Sequence, residues 1–332
     1  MKQLLMTDHH LGLKKGSTHW HDLAKRSFDD ACQYAKDNQI TRMAYLGDFF
    51  HDRKLITIPT IPVALSIGKS ISEAFKEVYM IEGNHDQYFK DQPKPSSLDI
   101  LEEKYHNIHI LYEPLELENM LLVPWVFDKT ILEGSKKRFC LGHFEIGGFV
   151  QGMNGKLNIG DFKSFELVLS GHFHTRMRKD NIQYLGGPYH MTFNDIGDRG
   201  FHIFDSETGV LEFIPFANYP KFFSTQDDNV FTKEDICGNT VRIIFTKELG
   251  SKVIGGIVDK IKEYQPLQLF VNFEIDRGFT EDSLSDVEMP SADLYRSSKD
   301  IHIEYLSKAE LPPNLKLKML STITNKLWEE IL

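Results

Sequence analysis

Five short polar clusters of the sequence each come directly after an apolar run and carry side chains that bind metal ions or transfer protons. Their motifs, in chain order, are D-x-H, G-D, G-N-H-D, G-H and G-H-x-H. The residues of interest in them are Asp8, His10, Asp48, His51, Asn84, His85, Asp86, His143, His172 and His174. Carboxylate, imidazole and amide ligands without a thiolate suit manganese, iron or zinc. The clusters therefore predict a centre for divalent metal ions.

The spacing inside the first and last clusters favours side chains that converge. Alternate residues of an extended segment point the same way, so Asp8 and His10 are expected to face one metal region. His172 and His174 are likewise expected to form a two-pronged ligand, with Phe173 turned into the core. A lone H-x-H or G-D step is weak evidence, because surface histidine pairs and capping turns are commoner than ligands. The ordered set of five clusters is specific.

The remaining histidines lie outside the five clusters and are expected to be solvated or part of the core. They are His9, His19, His21, His106, His109, His190 and His202. Glu145 follows His143 closely, but a surface carboxylate is the simpler interpretation for it.

An alternation of apolar runs and amphipathic helices places the clusters at the ends of strands. Strands are predicted at 3–7, 42–46 and 78–82, and strand-like runs dominate after residue 107. Helices are predicted at 21–38, from Pro59 through 64–77, and at 96–105. This pattern is typical of the α/β class, with β-sheets flanked by helices. Loops at the carboxyl edge of such a sheet converge, which would bring the five clusters together.

The composition is that of an ordinary globular protein, with 41% hydrophobic and 26% charged residues in a chain of 332. A formal net charge of -10 argues mildly against a simple nucleic-acid-binding module, although bound metal ions add positive charge that a sequence count omits. The cysteines Cys32, Cys140 and Cys237 are far apart, which argues against a disulfide framework and fits a reducing cytoplasm. No run approaches the roughly 18 apolar residues of a membrane span.

The texture of the sequence changes after Pro220. A strand at 240–246, a helix at 251–264 and a strand at 267–275 are predicted to form a small second unit. Residues 276–293 are polar and acidic, as in a linker. The last segment carries Leu320, Ile323, Leu327 and Ile331 at helical spacing.

The ordered motifs resemble those of the calcineurin-like metallophosphoesterases. Within them the sequence is most similar to the SbcD-type nuclease subunits of double-strand-break repair complexes, in their short phage recombination-endonuclease form. The resemblance in motifs covers about residues 1–205. It implies a metallophosphoesterase sandwich with a small α+β capping domain and C-terminal partner-binding helices. The expected boundaries are a nuclease domain at 1–218, a DNA-contacting capping domain at 219–278, an acidic linker at 279–298 and a helical ATPase-binding segment at 299–332.

The resemblance also implies a role for each site residue. Two Mn²⁺ ions are expected as cofactors, with Mg²⁺ or Fe²⁺ as alternatives. One metal would be held by Asp8, His10 and His174, the other by Asn84, His143 and His172, with Asp48 bridging the two. His85 would face the phosphate and help the leaving alkoxide acquire a proton, with Asp86 orienting its imidazole. His51 would assist with strand placement or leaving-group chemistry.

The motif "GDFFHDRK" and the step "GNHD" favour the nuclease branch over protein phosphatases, for which G-D-x-x-D-R-G and G-N-H-E are expected. The resemblance implies exonuclease action on duplex DNA ends and endonuclease action on single strands or hairpins, in recombination and double-strand-break processing. It further implies a homodimer, an SMC-like coiled-coil ATPase partner of the SbcC type, no membrane association, and a cytoplasmic location, in the host if the protein is phage-encoded.

Two alternatives stay open at this point. The first is a metallophosphoesterase for small molecules such as cyclic nucleotides, and the second is a non-catalytic subunit that binds DNA ends. The C-terminal helix either docks into a groove of the ATPase or packs on its own domain.

Overall fold

The computed structural model describes residues 1–149, 155–227, 231–247 and 249–274, apart from the side chain of residue 251. They fall into two compact units. The first contains Met1–Thr225, Phe231–Arg242 and Gln265–Phe270, and the second contains the other described residues from Gln226 onward. The predicted linker at 279–298 and helical segment at 299–332 lie outside the described residues, and the domain boundaries stay predictions.

The described part of the chain alternates strands and helices through its first hundred residues and is mostly strand thereafter. Its strands are β1 (Lys2–Met6), β2 (Arg42–Leu46), β3 (Glu77–Ile81), β4 (Ile108–Leu111), β5 (Leu115–Leu117), β6 (Met120–Val123), β7 (Phe139–His143), β8 (Ile146–Gly147), β9 (Leu157–Asn158), β10 (Leu167–Gly171), β11 (Met177–Lys179), β12 (Ile182–Tyr184), β13 (Gly200–Asp205), β14 (Leu211–Pro215), β15 (Phe222–Gln226), β16 (Thr240–Phe245) and β17 (Gln268–Phe273). Its helices are α1 (Leu13–Gly16), α2 (Thr18–Asp37), α3 (Thr60–Ala74), α4 (Asp99–Glu102), α5 (Thr130–Gly134), α6 (Lys233–Ile236) and α7 (Ser251–Glu263), with a 3₁₀ turn at Ile159–Phe162.

Two six-stranded sheets form the body of the first unit. The first sheet has the order β14-β13-β1-β2-β3-β4, and the second has the order β11-β12-β10-β7-β6-β5. Strands β1 to β4 run parallel to one another, as do β6, β7, β10 and β12. The antiparallel pairs are β1 with β13, β13 with β14, β11 with β12, and β5 with β6. The predicted α/β class, with sheets flanked by helices, is confirmed.

The hydrophobic core has a layer between the two sheets and a layer on each outer side. Between the sheets, Leu5, Leu46 and Ile81 of the first sheet pack with Leu122 and Leu141 of the second. This burial on both faces explains why the central strands are apolar runs without polar alternation. The helices cover the outer face of the first sheet, where residues of α2 such as Leu23, Phe28 and Ala31 are buried.

The helices and strands predicted within the described residues occur close to where the sequence places them, with one clear difference in length. The segment predicted as a helix at 96–105 is regular only at Asp99–Glu102. The Ser96 hydroxyl accepts the Leu98 amide and the Asp99 carboxylate accepts the Ser96 amide, so these side chains cap its N-terminal end. The short element α1 contains Lys14 and Lys15 with left-handed backbone angles, so it is a turn rather than a regular helix.

The predicted strand–helix–strand segment after Pro220 forms β16, α7 and β17. Strand β16 is the middle strand of a three-stranded sheet with β15 and β17. Among the described residues, the helices are all too short or too polar to cross a lipid bilayer.

Candidate metal centre

The five polar clusters meet at one edge of the two sheets. Strands β1, β2 and β3 are parallel neighbours in the first sheet, and β7 and β10 are parallel neighbours in the second, so the loops at their carboxyl ends lie together. The Asp8 amide donates to the Gly47 carbonyl at 3.0 Å. The His172 amide donates to both oxygens of the Asp8 carboxylate at 3.1 Å. These bonds join loops from strands far apart in the sequence.

The backbone of the ligand loops is unusual for residues other than glycine. The φ angles are 56° at Asp8, 48° at His10, 56° at Asp48 and 96° at His172. Positive φ values of this kind are uncommon and concentrate at functional sites. The extended-segment explanation for the convergence of Asp8 and His10 is therefore wrong, because left-handed turns orient these side chains.

Two motif glycines leave space that the ligands occupy. A Cβ atom built on Gly47 would lie 2.4 Å from Nδ1 of His143, and one on Gly83 would lie 2.2 Å from Oδ1 of Asp48. Gly47 also has a φ of +88°. The glycines of the G-D and G-N-H-D motifs are thus required by the close approach of ligand side chains.

Asp8, His10 and His174 form a first group of potential ligands, whose ligand atoms lie within 4.8 Å of one another. The Nε2 atoms of His10 and His174 are 3.0 Å apart. Asp8 and His10 are buried, whereas His174 is half-buried and reaches the group from the far end of "SGHFHT".

Asp48, His143 and His172 form a second group under the same criterion. The Asn84 side-chain oxygen joins it, at 3.2 Å from Nε2 of His143 and 3.1 Å from Nδ1 of His172. His172 and His174 therefore belong to different groups, although they are two residues apart. Phe173 between them is half-buried and packs on the Tyr184 ring at 4.6 Å.

The Asp48 carboxylate lies between the two groups. Its Oδ2 atom is 3.6 Å from Nε2 of His10 in the first group and 3.3 Å from Nε2 of His143 in the second. Its Oδ1 atom accepts the His85 amide at 2.9 Å. One carboxylate oxygen thus faces ligands from both groups.

The donor set fits divalent cations. Burial lowers the pKa of His10 well below its usual value and that of His172 to about 3, so both rings are neutral and offer lone pairs. Burial also raises the pKa of the Asp8 carboxyl. Two carboxylates with almost no solvent exposure need nearby positive charge, and cations bound by neutral imidazoles would supply it.

The neighbouring Asp48 carboxylate favours the protonated form of the His143 ring. Burial by itself lowers its pKa, but the Asp48 carboxylate outweighs burial and raises the pKa of His143 to about 9. Its Nδ1–H donates to the Leu46 carbonyl at 2.7 Å, which directs Nε2 toward Asp48 and Asn84. A backbone bond of this type commonly fixes the tautomer of a metal-binding histidine. A metal ion would displace the Nε2 proton.

His51 and His85 lie beside the first group. With His10 they form a third set of potential ligands within 4.8 Å. The rings of His51 and His85 are stacked with their centroids 5.9 Å apart, and the His85 ring meets that of His10 edge-on at 4.8 Å. Nδ1 of His85 lies 2.5 Å from the His51 carbonyl oxygen. Both predicted proton-transfer residues are therefore next to the ligands.

The predicted orientation of the His85 ring by Asp86 is corrected by the structure. The buried Asp86 carboxylate accepts the amides of Asp48 at 2.9 Å, Phe50 at 3.0 Å and Gly83 at 2.9 Å. The carbonyl of His51, not Asp86, contacts the His85 ring. Asp86 instead holds the two ligand loops after β2 and β3 together.

Two residues near the ligands were not predicted. The Trp125 ring lies 5.4 Å from the His172 ring and 5.9 Å from the His143 ring, measured between centroids. The buried guanidinium of Arg199 donates from Nη1 to the His174 carbonyl. Trp125 shared a detectable signal with the ligands, since it also follows a strand, β6. Arg199 lies 25 residues after His174 and had no local signal.

The histidines outside the clusters behave as predicted. His9 is in the core, where its Nδ1 and Nε2 atoms meet the hydroxyls of Tyr45 and Ser27 at 2.9 and 3.1 Å. His21, His190 and His202 are buried, whereas His19, His106 and His109 are exposed.

Residues 1–176 match the family described as calcineurin-like phosphoesterase, as the motifs predicted. The chain is 36% identical over 229 residues to "Exonuclease subunit 1" of Enterobacteria phage T4, which covers 65% of this chain and 68% of that protein. The structure of the chain is also similar to that of nuclease MPE of Pseudomonas putida, with a TM-score of 0.34 and 19% sequence identity. This match covers 61% of this chain and 84% of the other chain. A dimetal phosphatase of Danio rerio is similar in structure with a TM-score of 0.41 and 12% sequence identity. This match covers 61% of this chain and 91% of the phosphatase chain. The overlap with both solved structures is loose, so the sequence matches carry the family assignment.

Proposed function

Since the chain belongs to the calcineurin-like phosphoesterase family, we propose that it is a DNA nuclease that uses two divalent metal ions, Mn²⁺ in preference to Mg²⁺ or Fe²⁺. The observation that carries the proposal is the position of Asp48 Oδ2, which faces His10 at 3.6 Å and His143 at 3.3 Å. A carboxylate within reach of both ligand groups could hold two metal ions side by side, and a pair of ions about 3.5–4 Å apart stabilises the attacking and leaving oxygens of phosphoester hydrolysis.

Each ion would be held by one of the ligand groups. Asp8, His10 and His174 would hold the first ion, Asn84, His143 and His172 the second, and Asp48 both. Divalent ions there would supply Lewis acidity toward a phosphate oxygen and toward the attacking water. Against two carboxylates, two dications leave a net positive site that favours a phosphodiester anion.

His85 is the proposed acid for the leaving group. Its Nδ1–H is committed to the His51 carbonyl at 2.5 Å, so in the imidazolium form Nε2–H is the group that gives its proton to the departing alkoxide and leaves the ring neutral. His51 provides that carbonyl, and its ring stacks on His85. His51 therefore orients His85 in this scheme, and Asp86 keeps the backbone of both loops in place.

The similarity to a phage exonuclease subunit supports DNA as the substrate and a multi-subunit setting. We propose exonuclease action on duplex ends and endonuclease action on single strands or hairpins, in recombination and double-strand-break processing. The proposed assembly is a homodimer with an SMC-like coiled-coil ATPase of the SbcC type, located in the cytoplasm.

Cleavage of end-labelled DNA tests the proposal. The purified chain is incubated with a duplex, a single strand or a hairpin in Mn²⁺, Mg²⁺ or EDTA, with and without the ATPase partner. We expect Mn²⁺-dependent shortening that His85→Ala slows by about 10²–10⁴-fold, the usual contribution of a proton-transfer residue. His109→Ala replaces an exposed histidine and serves as the matched control.

The result that contradicts the proposal is hydrolysis of bis(p-nitrophenyl) phosphate by a metal-loaded protein that leaves every DNA substrate intact even with the ATPase. That outcome would favour the small-molecule phosphoesterase alternative.

A further inference from the structure

A cavity of about 310 Å³ borders the metal centre on the side of the second sheet. Its aromatic lining consists of Trp125, Phe127 and Phe144, and lysines 90, 129 and 156 also line it. The volume is at the lower end of the ~300–1,000 Å³ typical of small-molecule sites. It therefore suits a ligand the size of one nucleotide rather than a duplex.

The Trp125 ring connects this cavity to the metal ligands. It is half-buried, and its centroid is 5.4 Å from that of the His172 ring, with an angle of 33° between the planes. Its backbone amide donates to the Glu82 carbonyl at 3.0 Å, which ties it to the end of β3. A group stacked on Trp125 would therefore adjoin a phosphate at the metal centre.

The aromatic floor is held rigidly from below. The Phe144 ring is fully buried, packs on Phe162 at 5.0 Å and on Phe127 at 5.9 Å. Its amide donates to the Ser170 hydroxyl at 2.9 Å. Because these rings are already packed in place, binding of a flat ligand would cost little conformational entropy of the lining.

The charged groups of the lining carry both signs, with three lysines and two carboxylates. Lys129 pairs with Asp161 at 2.7 Å, and Asp91 and Glu145 also line the cavity. Lys90 and Lys156 are exposed and present ammonium groups to an entering strand. A flat apolar floor with ammonium groups at its border matches a nucleobase attached to a sugar-phosphate chain.

We infer that this cavity binds one unpaired nucleobase of a DNA strand whose adjoining phosphate lies at the metal centre. The inference rests on the proposed nuclease function and narrows its substrate. A base in the cavity has left its pairing partner, so the strand that is cut must be single or separated from its complement at that position.

Equilibrium binding of a short single strand to the full chain tests this site. The probe is a fluorescein-labelled phosphorothioate oligonucleotide of about ten residues in Mn²⁺, in which each base in turn is replaced by an abasic residue. We expect one position where the abasic probe binds the wild type about 5- to 150-fold more weakly, the range for loss of one base–aromatic stack.

Trp125→Leu should weaken the intact probe by a similar factor and should abolish the sensitivity to that abasic position. Trp20→Leu changes a half-buried tryptophan elsewhere in the first unit and should keep the sensitivity. Calorimetric titration with Mn²⁺ identifies any disturbance of His172 by the Trp125 variant. Phe127→Ala leaves Trp125 in place and gives a second test of whether the sensitivity to the abasic position depends on the aromatic lining.

An abasic scan without any sensitive position in the wild type would overturn the inference. The inference would also be overturned if the binding free energies lost through the abasic residue and through Trp125→Leu were additive, because independent effects mean that the base and the ring do not touch. If the unmodified strand is cleaved normally in either case, the nuclease proposal survives. A protein that neither binds nor cuts the strand would refute both.

Discussion

Substitution of Gly47 by alanine isolates the steric requirement of the metal centre. The new Cβ would lie 2.4 Å from Nδ1 and 2.7 Å from Cγ of His143, and 2.9 Å from Cα of Gly83. His143 is fully buried and its Nδ1 is already bonded to Leu46, so the ring has little room to retreat. The substitution must displace either the ring or the loop after β3.

Two costs contribute to the expected loss of stability. A φ of +88° strains any residue with a Cβ, at about 1–2 kcal/mol. Overpacking in a dense region costs about 1–3 kcal/mol more. Gly197 is a matched control, because its φ is +77° and a Cβ there would meet nothing within 4 Å. Gly47→Ala should therefore be about 1–3 kcal/mol less stable than Gly197→Ala, because both variants carry the backbone strain and only Gly47→Ala adds the steric clash with His143.

Urea unfolding in EDTA measures this difference without a contribution from bound metal. Tryptophan fluorescence in a Trp328→Phe background reports on Trp20 and Trp125, which both lie in the first unit. Calorimetric titration with Mn²⁺ should show at least a tenfold loss of affinity in Gly47→Ala, as when a group that orients a metal ligand is altered. Equal unfolding free energies for the two variants, together with unchanged Mn²⁺ binding, would refute the steric argument.

Two further variants test the surroundings of the site. Arg199→Met removes the guanidinium that donates to the His174 carbonyl and lies 3.2 Å from Asp195. We expect this variant to bind Mn²⁺ about 10–100-fold more weakly, as measured by calorimetry. An unchanged Mn²⁺ affinity would show that Arg199 does not position His174. His202→Gln tests a buried imidazole whose pKa is lowered by burial to about 3. Below pH 6.5 the unfolded chain gains a proton that the folded chain does not, so the wild type should lose about 2 kcal/mol of unfolding free energy relative to this variant between pH 7.5 and pH 5. Urea unfolding at both values measures it, and a stability difference independent of pH would mean that His202 is not held neutral.

The sequence by itself determined which side chains could form the metal centre. Asp8, Asp48, Asn84, His143 and His172 are of metal-binding types and follow apolar runs long enough to be strands. Because parallel strands end at one edge of a sheet, their order along the chain was enough to predict that they meet. The family and the α/β class followed from the same pattern, since both depend on local periodicity and motif order.

Only the tertiary structure decided what each side chain contacts. The left-handed backbone at Asp8, the use of Asp86 as a bond acceptor for two loops, and the arrival of Arg199 at the His174 carbonyl all depend on partners distant in the sequence. Local sequence encodes strands and turns, whereas the direction of a buried polar group is set by whichever distant donor or acceptor packing brings within reach. For this reason the meeting of these side chains could be predicted from the sequence, whereas the groups that hold them in place could not.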